Sequence, residues 1–259
     1  ITQDDAHVFC RESQLKEEIE SIWDIVDRFY GTFGFDLKVS LSFRDPEDKD
    51  GYIGEDSIWE SSESIIKEIA EARDADYFID LGEAAFYGPK LDFIAHDSIG
   101  RKHQVATIQL DRNLPERFDL TCVNENGEKE RVVMIHAAIA GSLERFSAVL
   151  IEHLAGNFPL RIAPTQIATI PVAEVHNEYA TDVHNKLIAA GFRTEIDTSS
   201  DSMGKKVRNA KKDRLPYFVI IGDKDIEANT VTVESRDTGE SVAMSIDDFL
   251  AKLTDEANV

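Results

Sequence analysis

The sequence predicts an α+β unit followed by a smaller α/β unit, and three observations point there. Residues 12–34 carry apolar side chains at helical spacing, and short alternating segments follow before a helix-rich stretch at 136–154. Beyond Pro159 the rhythm changes to strand and helix in alternation. Forty-two per cent of the 259 residues are hydrophobic, enough apolar surface for two ordinary cores.

In chain order, Leu15, Ile19, Ile22, Trp23, Val26 and Phe29-Tyr30 mark the first helix, with Gly34 as its stop. Residues 37–43 alternate as a strand, and 45–55, rich in Asp, Pro and Gly, form a loop. Residues 59–72 read as a second amphipathic helix. Strands are expected at 77–80, 90–96 and 104–110, with turns at Gly88-Pro89 and Ser98-Ile99-Gly100. A strand at 132–135 leads to His136, which is expected to begin a helix interrupted at Gly141-Ser142. The boundary between units falls near Gly156-Asn157-Phe158-Pro159, giving domains 1–157 and 162–259. The second unit reads as strand 166–172, helix 179–190, strand 192–196, helix 203–213, strand 217–221, strand 231–233 and helix 246–253. That order predicts a partly parallel, mixed central sheet.

No run of about 18 apolar residues is present, so no membrane span and no membrane partner are expected. The chain opens on Ile1 with acidic and polar residues rather than a secretory pattern, and a truncated or processed start is the expectation. Cys10 and Cys122 belong to no paired metal spacing, which suits buried thiols in a cytoplasmic protein. The net charge of −22 argues against non-specific nucleic-acid binding. Contact with a polyanion then requires basic residues gathered on one face, as Lys205, Lys206, Arg208, Lys211, Lys212 and Arg214 are on one predicted helix and its end. A solvated helix face is the plainer account of the same run.

Gln3, Asp5 and His7, spaced by two, fall on one side of an extended segment: an amide, a carboxylate and an imidazole fit for a pocket wall. A polar strand end with Asp4 or Asp5 near a helix cap explains them equally. His136 is too distant in sequence for its pairing with His7 to be read from spacing.

Three segments taken together change this reading. They are Thr2-Gln3-Asp4-Asp5-Ala6-His7-Val8-Phe9-Cys10, Gly82 to Phe93 with its Phe86-Tyr87-Gly88-Pro89-Lys90, and Met134-Ile135-His136 with Gly141-Ser142-Leu143-Glu144-Arg145-Phe146. They resemble, in order, the segment after motif 2, the strands under the substrate, and motif 3 of class II aminoacyl-tRNA synthetases of the threonyl type. The resemblance extends over essentially the whole chain. It implies an α+β catalytic-domain portion with an antiparallel sheet, motifs 1 and 2 lying outside the chain, then a small α/β anticodon-binding domain with a mixed sheet.

The resemblance further implies threonine–tRNA ligase chemistry. ATP activates threonine to threonyl-adenylate, tRNA(Thr) accepts the acyl group, and the truncated chain is inactive by itself. Zn²⁺ is implied on His7 and His136 with a cysteine upstream of Ile1, and Mg²⁺ is implied with ATP. Gln3, Asp5, Tyr87, Gln104, Gln109 and Ser142 resemble substrate-pocket residues, Asp5 as acceptor of the threonine hydroxyl. Lys90 and the motif 3 arginine Arg145 resemble the catalytic pair. Arg208, Arg214, Ser200 and Asp225 correspond to anticodon positions, although Ser200, Asp225 and Glu234 stand where asparagine, glutamate and arginine are more usual. Ala137 and His103 likewise replace an arginine and a tryptophan. Zinc answers a physical need, because an apolar pocket separates near-isosteres such as threonine and valine by only about 10²-fold. A cytoplasmic homodimer is implied for the full-length enzyme. Two other readings stay open: a tRNA-binding fragment or synthetase-like regulator without catalysis, and another class IIa ligase.

Overall fold

The computed structural model describes residues 1–97 and 99–257, with Lys49 described by its backbone only. Ser98, part of the expected turn at 98–100, lies outside the described residues. The chain divides into two compact units, Ile1–His153 and a second that begins at Leu154.

The strands of the first unit are β1 (Ala6–Cys10), β2 (Leu37–Phe43), β3 (Tyr77–Leu81), β4 (Lys90–His96), β5 (Lys102–Asp111), β6 (Thr121–Val123), β7 (Lys129–Arg131) and β8 (Val133–Ala138). Its helices are α1 (Leu15–Thr32), α2 (Asp56–Ala72), α3 (Asn113–Arg117) and α4 (Leu143–Leu154). Six strands form one sheet in the order β1-β8-β5-β4-β2-β3, and β6 and β7 pair as a separate hairpin. Neighbours in the large sheet are antiparallel except β2 and β3, which run parallel. Helix α2 lies in the β2–β3 connection, and such a crossover lets the chain return in the same direction.

Strand alternation sorts this sheet into an apolar face and a polar one. Leu91, Phe93 and Ala95 of β4, Ile108 and Leu110 of β5, and Val133, Ile135 and Ala137 of β8 are buried. Helix α1 covers that face: Leu15, Ile19, Ile22, Trp23, Val26 and Tyr30 form its buried stripe, and Trp23 meets Phe93 edge-on at 5.2 Å. The intervening residues of the same strands point to the other face, where the polar groups gather.

One irregularity decides which groups those are. Phe93 pairs with Ala106 but Ile94 pairs with Gln104, so Val105 is an extra residue, a β-bulge. Strict alternation would send Gln104 and Gln109, five apart, to opposite faces; the bulge returns Gln104 to the polar face. Its carbonyl is held from the helix side, since the Tyr30 hydroxyl approaches Val105 O at 3.0 Å and Ile139 O at 2.8 Å. Burial, then the nearby Asp4 charge, pushes the Tyr30 phenol well above its usual range, so it stays a donor.

One sequence expectation needs correction here. His136 does not begin a helix: pairing with β1 on one side and β5 on the other carries the strand through to Ala138. Helix α4 starts only after Gly141, whose φ of 58° breaks the chain direction, with the Ser142 hydroxyl accepting from Arg145 N at 3.3 Å as its cap. The short elements α3, β6 and β7 were hidden from periodicity by their length. Both cysteines are free thiols, Cys10 buried and Cys122 half-buried, and burial pushes Cys10 up to about 11.

The second unit is a mixed five-stranded sheet. Its strands are β9 (Ile167–Pro171), β10 (Thr194–Ile196), β11 (Tyr217–Ile221), β12 (Val231–Ser235) and β13 (Ser241–Met244), ordered β10-β9-β11-β12-β13. β9 is parallel to β10 and β11, and β12 is antiparallel to both its neighbours. The helices are α5 (Asn177–Ala189), α6 (Met203–Lys212), α7 (Asp223–Ala228) and α8 (Ile246–Ala257); α7 and β13 escaped the sequence reading. Ile167, Tyr217, Val219 and Ile221 pack with Val183 and Leu187 of α5 and Phe249 and Leu253 of α8. Ala168, Ile170 and Phe218 pack with Val207 and Ala210 of α6 on the opposite side, which explains the continuously apolar β9 and β11. Among the described residues no helix is long and apolar enough to cross a membrane.

Tyr30→Phe removes the clamp on the bulge without emptying volume. It is expected to lower stability by about 1–2 kcal/mol, read as a lower midpoint in thermal denaturation.

Candidate active site

On the polar face of the large sheet, one register row runs His7, His136, Gln109, Lys90, Ser42 and Asp80, each the Cα partner of the next. A second row beside it runs Ala138, Thr107, Asp92 and Ser40. Residues more than 120 positions apart in sequence therefore stand side by side.

The imidazoles of His7 and His136 lie edge to face with centroids 4.6 Å apart. His136 Nε2 is 3.0 Å from Asp111 Oδ2, and Asp111 is itself fixed by the Asn113 and Leu114 backbone N–H groups, each at 2.9 Å. A carboxylate on one ring nitrogen selects the tautomer and leaves Nδ1 as the free lone pair, the arrangement of a metal-ligating histidine with its outer partner. Asp5 reaches only to 4.0 Å from His7 Nδ1. The donors fit zinc in kind, but among the described residues no group of three or more His, Cys, Asp and Glu side chains is arranged to hold a metal ion.

Tyr87 lies against His136 at 4.8 Å between ring centroids, and its hydroxyl donates to Gln109 Oε1. Burial, helped by the charges of Asp111 and Asp5, pushes its phenol up to about 12. Gly88 holds this tyrosine in place, because a Cβ there would stand 1.8 Å from Leu110 O. Gly54, at φ 92°, leaves room in the same way for Asn113, whose Nδ2 donates to Tyr87 O at 2.8 Å.

Gln3, Gln104, Ser142 and Arg145 line one cavity of about 260 Å³ with Thr107, Ala138 and Gly141. Gln3 pairs with Ser142 in an isolated antiparallel bridge, and Asp4 N and Leu143 N donate to Gly141 O and Thr2 O at 3.1 and 2.9 Å. The N-terminal segment is thus strapped to the start of α4. Asp4 is no helix cap: its Oδ2 accepts from Ile139 N at 2.6 Å and Ala140 N at 3.2 Å. Glu144 accepts from Thr2 N and Ser142, and among the described residues no carboxylate pairs with Arg145, which lines the cavity.

Sequence reasoning missed three carboxylates here: Asp92, Asp111 and Asp4. The signal for the first two was present, since Asp92 follows Lys90 and Asp111 follows Gln109 by two positions on one strand face.

In the second unit the anticodon candidates are dispersed. Ser200 lines a cavity with Glu174, Asn177 and Lys206, whereas Arg214 lines a different one with Ala155, Gly156 and Lys212. The Arg214 guanidinium donates to Ala155 O. Asp225 is buried and accepts from Gly222 N at 3.0 Å and the Thr232 hydroxyl at 2.8 Å, capping α7. The basic run is partly neutralised: Lys205 pairs with Asp201 at 2.9 Å and Lys211 with Glu234 at 2.6 Å, while Lys206 is buried against Pro171 O and Asp197 O. Arg208 is exposed, and among the described residues no carboxylate pairs with it.

A family model described as tRNA synthetase class II core domain (G, H, P, S and T) matches residues 1–154. The chain belongs to this family. A second model, anticodon binding domain, matches residues 166–256. Threonine–tRNA ligases of Prosthecochloris aestuarii and Pelodictyon phaeoclathratiforme are each 45% identical to the chain, over 100% and 99% of its length. The chain spans 39% of the length of each of these curated relatives. Among solved structures, the RNA binding domain of threonyl-tRNA synthetase from Cryptosporidium parvum Iowa II is 34% identical with a TM-score of 0.90, over 98% of this chain and 63% of that one. The largely antiparallel core sheet and the mixed second sheet agree with this family.

Gly88→Ala is expected to cost about 2–4 kcal/mol, because backbone rather than a flexible side chain occupies the space. Gly204→Ala, in the open on helix α6, should leave the melting temperature unchanged or slightly raised in the same assay.

Proposed function

We propose that the chain is the C-terminal two-domain portion of a cytoplasmic threonine–tRNA ligase, residues 1–157 belonging to the catalytic domain and 162–259 binding the anticodon. The observation that carries this reading is the row His7–His136–Gln109–Lys90, flanked by the cavity of Gln3, Gln104, Ser142 and Arg145. That arrangement offers imidazoles for a metal, amides for a small polar substrate and two cations for phosphate. The similarity to threonine–tRNA ligases supports the choice of substrate over other members of the class.

Zn²⁺ would be held by His7 and His136, its remaining protein ligand supplied from outside this chain. When bound it provides a Lewis acid with open positions that distinguishes a β-hydroxy amino acid from valine. Asp5 accepts from the substrate hydroxyl, and Gln3, Tyr87 and Gln109 bound the amino acid. The carboxylate oxygen of threonine attacks the α-phosphorus of ATP, the bond to the β-phosphate oxygen breaks, and pyrophosphate leaves with Mg²⁺. Arg145 and Lys90 stabilise the charge that develops on the phosphoryl oxygens. A ribose hydroxyl of tRNA(Thr) then takes the acyl group, and AMP leaves. Arg208, Arg214, Ser200 and Asp225 are the proposed anticodon side, with Asp225 acting through the loop it caps. The full-length enzyme is proposed to be a homodimer.

A tRNA-binding piece without catalysis remains the second reading for the isolated chain, because among the described residues it offers a metal paired imidazoles and no group of three or more ligating side chains. Threonine-dependent pyrophosphate exchange separates the two: activity is expected from the full-length gene product and none from the chain. In the full-length product His136→Ala should abolish exchange and take bound zinc from about one per chain to near zero; retained zinc and exchange would refute the metal assignment. Arg208→Ala should weaken tRNA binding roughly fivefold at moderate salt and leave adenylate formation unchanged, as titration of tRNA against wild type and variant would show.

A further inference from the structure

Asp92 is the most heavily bonded side chain on the polar face, and none of the roles above uses it. It is 3% exposed, at the centre of β4. Its Oδ2 receives the Ser42 hydroxyl at 2.7 Å and the Lys90 ammonium at 2.9 Å. Its Oδ1 receives Gln104 Nε2 at 2.8 Å and the Thr107 hydroxyl at 2.7 Å. Four donors on two oxygens saturate the acceptor sites of a carboxylate, a group that as an anion has nothing to donate in return.

The direction of those bonds has a consequence for the site. Gln104, which lines the cavity with Ser142 and Arg145, spends an N–H on Asp92, and its carbonyl Oε1 is left as an acceptor for a substrate group. Thr107 donates to Asp92 and therefore accepts, receiving Gln109 Nε2 at 3.5 Å. That leaves Gln109 Oε1 to accept from the Tyr87 hydroxyl. A single carboxylate thus sets a relay from Tyr87 through Gln109 and Thr107, fixes which way both amides face, and anchors the Lys90 ammonium.

We propose that Asp92 is the positioning residue of the active site: it orients Gln104 as an acceptor for a substrate donor group, Gln109 as a donor, and Lys90 toward the phosphoryl oxygens. This inference rests on the ligase reading above. Asp92→Asn replaces one acceptor oxygen by a donor, so at least one of the four partners must turn away. Holding reacting groups in place is worth orders of magnitude in rate, and a displacement of about 1 Å costs around a hundredfold. Thr107→Val cuts the relay to Gln109 and leaves the Lys90–Asp92 pair intact.

The experiment measures threonine-dependent pyrophosphate exchange on the full-length protein, with kcat and KM for threonine and for ATP taken separately, alongside thermal melts. In Asp92→Asn, kcat/KM for threonine is expected to fall about a hundredfold. In a Lys90→Met background the same change should cost several-fold less, because one of the groups it positions is already gone. Thr107→Val should raise KM for threonine about fivefold with kcat nearly unchanged, a split that loss of stability does not produce. A folded Asp92→Asn with wild-type kcat/KM overturns the proposal. Should Asp92→Asn fail to fold, an unchanged threonine KM in Thr107→Val overturns it equally. A full-length wild type without exchange removes the ligase reading and this inference together, whereas an active wild type with unaffected variants removes the inference only.

Discussion

The side-chain period of two along a strand is the constraint on which the first unit depends. One face of the six-stranded sheet is buried by α1, so its register cannot slip by a residue without exposing Leu91, Phe93, Ile108 and Ile135. A register locked by apolar burial on one side locks the polar side as well. His7, His136, Gln109 and Lys90 are adjacent because their apolar neighbours on the same strands have nowhere else to go.

The single departure from that period is the bulge at Val105, and it is held by groups on the buried side. Tyr30 reaches from α1 to the bulge carbonyl and holds it together with the carbonyl of Ile139. Core and site are therefore coupled through one backbone oxygen: the helix that buries the sheet also determines that Gln104 joins Gln109 on the working face. Close approaches elsewhere follow the same logic, with Gly88 and Gly54 admitting backbone and side chain where no Cβ fits.

Electrostatics divide differently between the units. In the first, cations near the site are either anchored on a buried carboxylate, as Lys90 is on Asp92, or left without a carboxylate partner among the described residues, as Arg145 is. In the second, an acidic chain neutralises much of its own basic helix through Lys205–Asp201 and Lys211–Glu234. Surface pairs of this kind add little stability, but they remove positive field from that helix. Glu234 is taken up inside the protein by Lys211, and Arg208 and Lys212 are exposed cations of that helix with which, among the described residues, no carboxylate pairs.

The long periodic elements were legible from the residues themselves: α1, α2, the strands β2, β4, β5 and β11, and the alternation that marks the second unit. So were the segments carrying Gln3, His7, Lys90, His136 and Arg145, since residue types and local spacing are properties of the chain in one dimension. The structure decided what depends on pairing between distant segments. It extended the strand through His136, where local pattern favoured a helix, because two neighbouring strands supplied hydrogen bonds. It ran β3 parallel through the α2 crossover, turned Gln104 over at the bulge, and withdrew Lys206 and Asp225 into internal bonds. Above all it made Asp92 and Asp111 organising groups, since a carboxylate's role is set by which donors surround it, and those donors are assembled only when the sheet forms.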